Sequence, residues 1–171
     1  MNENLTAVKI LVDGFANKIN APENLLPTYG QSVDGAHPHI EVDTAGRFYY
    51  VIVERGVELK RVMASDTDDL LYTIFSDICF SMAVRFELKN RQAGEDGRRQ
   101  IFSKQEQLLT ALHPHWKKII SAAHQAILRA HPFDDMALTR AEYCKKLAGQ
   151  GQGSQAAWEA ACEQYPLPQS G

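Results

Sequence analysis

The segment from Leu70 to Leu88 constrains the fold most, because apolar residues occupy almost the whole circumference of the helix that it would form. One broad face carries eight apolar residues at helical spacing: Leu70, Leu71, Ile74, Phe75, Ile78, Cys79, Met82 and Phe86. Phe80 and Val84 lie nearly opposite this face. A helix that is apolar on two sides is normally buried on two sides. We therefore expect this helix to lie between a sheet and the later helices.

One line along the same helix is polar, with residues spaced by four: Thr73, Asp77, Ser81 and Arg85. Residues at this spacing stack along a single line of a helix. If that line is buried, each polar group needs a hydrogen-bond partner. Arg98 and Arg99 are candidate partners for Asp77 or Glu87, as structural rather than catalytic contacts.

Three segments with strand-like patterns precede this helix. Ile40 and Val42 alternate with polar neighbours, Phe48–Glu54 is rich in aromatic and β-branched residues, and Val57–Met63 alternates again. Arg55-Gly56 predicts a tight hairpin turn between the last two. The pattern predicts a three-stranded antiparallel β-meander at about residues 38–63, whereas residues 20–35 predict a loop.

Helices are predicted on both sides of the sheet. An N-terminal helix spans about residues 4–19, and a helical part spans about 66–165, starting at a cap formed by Ser65 or Asp66. One of the later helices is expected to point five apolar residues inward: Trp116, Ile119, Ile120, Ala123 and Ile127. The 171 residues therefore predict one α+β domain over 1–171, with the meander packed on a long buried helix and further C-terminal helices.

Charge and composition exclude several partners. The net charge is -3 and the basic dipeptides are scattered among acids, so we expect no nucleic-acid binding. The longest apolar run, Phe48–Val53, is far shorter than the ~20 residues that span a bilayer. We expect a cytoplasmic protein without membrane contact, as a monomer or a weak homodimer. Three cysteines, Cys79, Cys144 and Cys162, are interpreted as buried apolar residues in a reducing compartment.

The nearest approach to a catalytic site is a row of alternating ligand-type residues: His37, His39, Glu41 and Asp43. Residues two apart on a strand share a face, so all four would line one side. A single strand cannot supply the convergent ligands that a metal needs, and no glycine-flanked serine is present. We predict no catalytic residue, metal or cofactor. A metal-dependent hydrolase using His37, His39 and Glu41 remains the alternative.

Several strings, taken in order, resemble the immunity protein 63 family: AHPHIEVD (36–43), YYVIVERGVEL (49–59), DDLLYTIFSDICFSMA (68–83), RRQIFSKQEQLL (98–109), HPFDD (131–135), and AEYCKKLAG and WEAACEQYPLP near the end. The likeness runs from about Tyr29 to Gln169. It implies an immunity protein of a bacterial polymorphic toxin system, active in interbacterial competition, which binds and neutralises a toxin encoded beside it. The family pattern supplies no catalytic or toxin-contacting residues.

Acidic surface on such an inhibitor would speed association with a basic toxin cleft. The acids hypothesised to bind the toxin are Glu54, Asp66, Asp68, Asp69, Asp134 and Asp135. A general cytosolic adaptor for a partner other than a toxin is a further alternative.

Overall fold

The computed structural model describes residues 3–169 and shows an α+β fold, as the sequence predicts. In chain order the elements are α1 (Glu3–Ile19), a 3-10 turn (Glu23–Leu25), β1 (Thr28–Tyr29), β2 (Pro38–Val42), β3 (Phe48–Glu54), β4 (Val57–Met63), α2 (Thr67–Asn90), α3 (Arg98–Leu112), α4 (Pro114–Ala130), α5 (Ala137–Gly149) and α6 (Ser154–Gln164). None of these helices is long and apolar enough to cross a membrane.

The sheet is four-stranded and mixed, in the order β1-β2-β3-β4, which corrects the prediction of three antiparallel strands. β2, β3 and β4 form the expected antiparallel meander. The extra strand β1 pairs parallel to β2, with Tyr29 opposite Ile40, and the Gly30 N–H donates to the Ile40 carbonyl at 2.8 Å. Two residues are too few to show an alternating pattern, so the sequence gives no sign of this strand.

The turn between β3 and β4 has the predicted form. Arg55 and Gly56 have φ values of 51° and 73°, as the tight turns of twisted hairpins require. The pairing then shifts, because Ile52 pairs with Lys60 whereas Val53 pairs with Glu58. The residue between these partners, Leu59, is therefore a bulge on β4, which is the last strand of the sheet.

The core lies against one face of the sheet. Ile40 and Tyr50 are paired on that face and pack with Val12, Phe75 and Leu109 from three helices. Trp116 of α4 is fully buried and stacks on Phe75, with ring centroids 6.3 Å apart. One face of the sheet and helices α1 to α4 therefore share a single core.

α2 is buried along most of its broad face, as predicted, but Phe86 at the end of that face is 39% exposed. The prediction that the second side of the helix is also buried is wrong. Phe80 is 46% exposed, and Leu88 is 60% exposed although Leu70, on the same line five turns earlier, is fully buried. The 24 residues of α2 span about 36 Å, whereas the seven-residue strands span about 23 Å. The sheet is therefore too short to cover the C-terminal half of this helix.

The predicted partners of the polar line are also wrong. The Asp77 carboxylate accepts from Tyr50 and Lys60, and Glu87 pairs with Arg91. Arg98 instead donates to Asp96, two residues away, and Arg99 to Asp135. Asp96 lies in the α2–α3 connection and Asp135 in the α4–α5 connection, so both arginines bind acids outside α2. In α4, three of the residues predicted to face inward are exposed: Ile119, Ala123 and Ile127. The buried face of this helix consists of Trp116, Ile120 and His124.

α5 and α6 pack mainly on each other, with Leu147, Ala157 and Ala161 buried between them. Cys144 and Cys162 lie on these helices and are partly exposed, so the expectation of burial holds only for Cys79. Burial raises the pKa of the Cys79 thiol to about 12, which keeps it protonated and unreactive.

Candidate partner-binding surface

A partly exposed apolar row on α2 is a distinctive surface feature. We call Phe80, Val84 and Leu88 the α2 stripe; they are spaced by four and therefore lie along one side of the helix. Phe80 and Leu88 are 46% and 60% exposed, and Val84 is partly exposed. Single exposed apolar residues are common, but an aligned row of them marks a candidate interaction surface.

A cleft opens beside the stripe, between α2 and the segment that joins α1 to β2. We call it the loop–helix cleft, and its volume is about 370 Å³. Its lining includes Leu25, Pro27, His37, Tyr50, Ile52, Asp77, Phe80 and Ser81. Because Phe80 belongs to both features, the cleft and the α2 stripe form one continuous surface.

Asp77 supplies the charge in this cleft. Its Oδ2 atom accepts from the Tyr50 hydroxyl at 2.8 Å and from the Lys60 ammonium at 3.2 Å. Burial raises the pKa of Tyr50, and the neighbouring Asp77 carboxylate raises it further, so the hydroxyl stays protonated and donates. The Asp77 side chain remains 45% exposed. The pair therefore anchors α2 to the sheet and still presents a carboxylate to solvent.

The other face of the sheet carries an ionic network. Buried His39 contacts Glu41 at 2.9 Å through Nε2, and Glu41 accepts from Arg61 at 2.8 Å. The Arg61 hydrogen bond is the main reason that the pKa of Glu41 is lowered. Arg61 also donates to Glu58. Each of these contacts joins two side chains of the network.

The row of ligand-type residues expected on one side of β2 does not form. His37 lines the loop–helix cleft on the core side, whereas His39 lies on the opposite face. The cause is local: Ala36 has a φ of 59° and β2 begins only at Pro38, so strand alternation does not reach His37. Within residues 3–169 there is no group of three or more histidine, cysteine or acidic side chains placed to hold a metal. The arrangement required by the hydrolase alternative is therefore not seen.

Three of the six hypothesised toxin-binding acids lie at the start of α2. Asp66 is the N-cap and accepts from the Asp69 N–H at 2.9 Å, as the sequence predicts for one of two candidate caps. The Asp69 carboxylate accepts in return from the Ser65 N–H at 2.8 Å. Asp68 accepts from the indole N–H of Trp116 at 3.3 Å. All three acids thus have structural contacts in addition to their charge.

The other three acids lie elsewhere. Glu54 ends β3 at the hairpin, about 20 Å along the strand from the α2 start. Asp135 accepts from Arg99 at 2.8 Å and from the Asp96 N–H at 2.8 Å, and Asp134 pairs with Arg140. The Arg99 hydrogen bonds hold the pKa of Asp135 below its usual range. The structure therefore divides the six acids among three separate places.

The α2 stripe and the cleft are the features that sequence reasoning missed. The sequence pattern predicts Phe80 and Val84 as a second buried side of the helix, whereas Phe80 is exposed and Val84 is partly exposed. Periodicity reports that a side chain is apolar, not whether another element is long enough to cover it. Comparing the length of α2 with that of the strands is the signal that would have found the stripe.

Comparison with known families finds a similarity over part of the chain. The family model for Immunity protein 63 (Imm63) matches residues 44–126. This match confirms the resemblance indicated by the sequence strings, over a span that contains β3, β4, α2 and α3. The string at 36–43 and the strings after residue 126 lie outside it. Neither a curated protein nor a solved structure matches the chain.

Proposed function

We propose that the chain is an immunity protein that binds a cognate toxin domain of a polymorphic toxin system and neutralises it by tight one-to-one association. It acts in the cytoplasm, without chemistry of its own, as a monomer or a weak homodimer. The family match supports the immunity role. The observation that carries the binding role is the α2 stripe, an exposed apolar row inside the matched span.

The stripe has the energetics of an interface centre rather than of a whole interface. Burying a Phe, Val or Leu side chain completely contributes roughly 1.5–3 kcal/mol, and these three residues are already partly covered. A specific interface buries about 1,600 Å² in total, so residues around the stripe must also contact the toxin. The loop–helix cleft, which shares Phe80 with the stripe, is the adjoining surface that we assign to this contact.

We assign the acids a second role, in steering. Asp66 and Asp68 are exposed at the α2 start, where a basic toxin would be attracted before docking. Glu54 adds a separate charge at the hairpin. Asp134 and Asp135 complete the hypothesised set, but their arginine partners already compensate their charges. Steering by exposed acids would change the association rate more than the dissociation rate.

The test is co-expression with the toxin gene expected beside this one. We expect the wild-type chain to restore growth of cells that produce the toxin and to co-purify with it. Leu88→Arg should raise the Kd at least ~10-fold, because it places a charge in the apolar centre. Titration calorimetry on purified proteins provides the measurement.

Leu138→Arg is the matched control, since Leu138 on α5 is 62% exposed but lies outside the family match. We expect its Kd to stay within ~2-fold of wild type. Growth arrest and no complex in the presence of wild-type protein would refute the immunity function. Equal effects of both substitutions would refute the placement of the interface on α2.

A further inference from the structure

We propose that the loop–helix cleft receives an arginine side chain of the toxin, which binds the Asp77 carboxylate and stacks on Phe80. This inference rests on the proposed function and names the partner chemistry that this site fits. The cleft combines apolar walls with a carboxylate that is 45% exposed, a combination typical of a pocket for one anchoring side chain.

One oxygen of the Asp77 carboxylate, Oδ1, is available to accept a hydrogen bond from a partner. The two contacts of this carboxylate, from Tyr50 and Lys60, both reach Oδ2, and no donor among residues 3–169 hydrogen-bonds to Oδ1. A carboxylate provides about four lone-pair sites, so an additional donor can be accepted without displacing either contact. Tyr50 and Lys60 fix the carboxylate in place, which lowers the entropy lost when a partner binds.

Phe80 offers a free aromatic face beside this oxygen. Other rings of this chain are covered by its own cations: Lys104 lies 5.1 Å from the centroid of Phe86, and Arg99 lies 4.3 Å from that of Phe133. Among the described residues no lysine or arginine lies over the Phe80 ring, and the residue is 46% exposed. A cation from outside the chain would therefore find an unoccupied ring next to an unoccupied carboxylate oxygen.

Arginine fits this cleft better than lysine. Lys60 already compensates the Asp77 charge, so a second point charge would gain little from simple attraction. A guanidinium gains more, because it is planar, stacks on rings and donates up to five hydrogen bonds. Its aliphatic stem can pack on Pro27 and Ile52. The Ser81 hydroxyl lines the same cleft as a further acceptor, and His37 is the other titratable group there.

The proposal is tested with two variants, Asp77→Asn and Phe80→Leu. The Kd of each variant is measured for the toxin domain encoded by the neighbouring gene. Asparagine keeps an acceptor for Tyr50 but removes the charge, and we expect a Kd at least ~10-fold above wild type. Phe80→Leu keeps the apolar contact but removes the ring, and we expect a rise of about 3-fold or more. Because Phe80 is 46% exposed, its variant remains informative even if Asp77→Asn proves unstable.

Two substitutions serve as matched controls. Phe86→Leu changes an aromatic residue of the same helix with similar exposure, 39%, on a different side. Glu142→Gln removes an exposed carboxylate from α5. Both should bind within ~2-fold of wild type. A Phe86 effect as large as that of Phe80 would contradict a specific role for the cleft.

The partner arginine is identified by changing each toxin arginine to lysine. We expect one such variant to lose as much affinity as Asp77→Asn and to lose nothing further when combined with it. Wild-type-like affinity of both cleft variants, or no arginine coupled to Asp77, would overturn this inference while leaving the immunity function intact. Failure of the wild-type chain to bind the toxin would overturn both.

Discussion

Asp96 shows how one side chain joins two distant segments. Its Oδ2 atom accepts from the Asp134 N–H at 2.9 Å and from the Arg98 guanidinium at 2.6 Å. Burial alone would raise the pKa of Asp96, but the hydrogen bonds from Arg98 and from the backbone of Asp134 outweigh it and lower the pKa to about 2. The ionised carboxylate therefore contributes to the attachment of the segment that precedes α5.

The sign of the resulting pH dependence follows from this lowered pKa. The folded value of about 2 lies below the ordinary 3.8, so the contribution is fully present above about pH 4 and is lost as the pH falls towards 2. We predict that Asp96→Asn is less stable than wild type at pH 6 and that the difference narrows between pH 4 and pH 2. Urea unfolding across this range measures it. Glu142→Gln is the control; a gap between Asp96→Asn and wild type that stays constant with pH would contradict the prediction.

The acids at the α2 start also make structural contacts, which affects how the hypothesised binding surface can be tested. Asp66 caps the helix and Asp68 accepts from Trp116, so reversing either charge would also remove a structural contact. Of the six hypothesised acids, Glu54 has no such contact among the described hydrogen bonds and ion pairs. Only there does charge reversal separate steering from stability.

At the scale of the element, one line along α2 changes from buried to exposed between the two ends of the helix. Leu70 and Leu88 point in the same direction, but one is fully buried and the other is 60% exposed. We predict that Leu70→Ala lowers the free energy of unfolding by about 2–5 kcal/mol, because it leaves a cavity in the core. Leu88→Ala should change it by less than about 0.5 kcal/mol. Urea denaturation of the two variants measures both.

The two variants control for each other, since both replace leucine by alanine and both side chains point in the same direction from the helix axis. A large loss of stability in Leu88→Ala would mean that another part of the chain covers the α2 stripe. In that case the stripe would be core, and the proposed interface would have to lie elsewhere.

Local patterns predicted most elements correctly because they depend on near neighbours. The alternation of Ile40 and Val42, the Arg55-Gly56 turn and the Asp66 cap all appear where expected. β1 was missed because two residues carry no period. The exposure of Phe80 and Leu88 is not predicted, because coverage depends on the relative lengths of distant elements, which periodicity does not report.

At the scale of the whole molecule, the main core and the helix pair formed by α5 and α6 are separate. Every residue of the main core lies between Leu5 and Ile120. α5 and α6 have their own buried residues and are linked to the rest through the Arg99–Asp135 and Arg140–Asp134 ion pairs on either side of the connecting segment. The family match, which ends at residue 126, covers most of the part that carries this core.

We predict that a variant truncated after Ala130 still folds, because it retains the complete main core. It should unfold cooperatively in urea, with more than half of the wild-type free energy of unfolding. Circular dichroism at 222 nm follows the transition. A broad, non-cooperative transition would show instead that α5 and α6 are required for the core.

The candidate site was less predictable than the fold. Strings spread along the chain indicate a resemblance to the immunity protein 63 family, and the match over residues 44–126 confirms that resemblance within this span. The acids were grouped by type, but Glu54 and Asp66 lie at opposite ends of the sheet, and Asp135 is bound by Arg99. Charge in a sequence shows what a surface contains; only the fold shows which charges share a side.

The bulge at Leu59 affects whether copies of the chain can pair through the edges of their sheets. An open sheet offers free backbone groups at its rims, and a long regular rim can recruit strands from other copies into fibrils. Here one rim is a two-residue strand and the other is interrupted at its third residue. Neither offers a straight template, so we expect the chain to stay free of edge-to-edge polymerisation at high concentration.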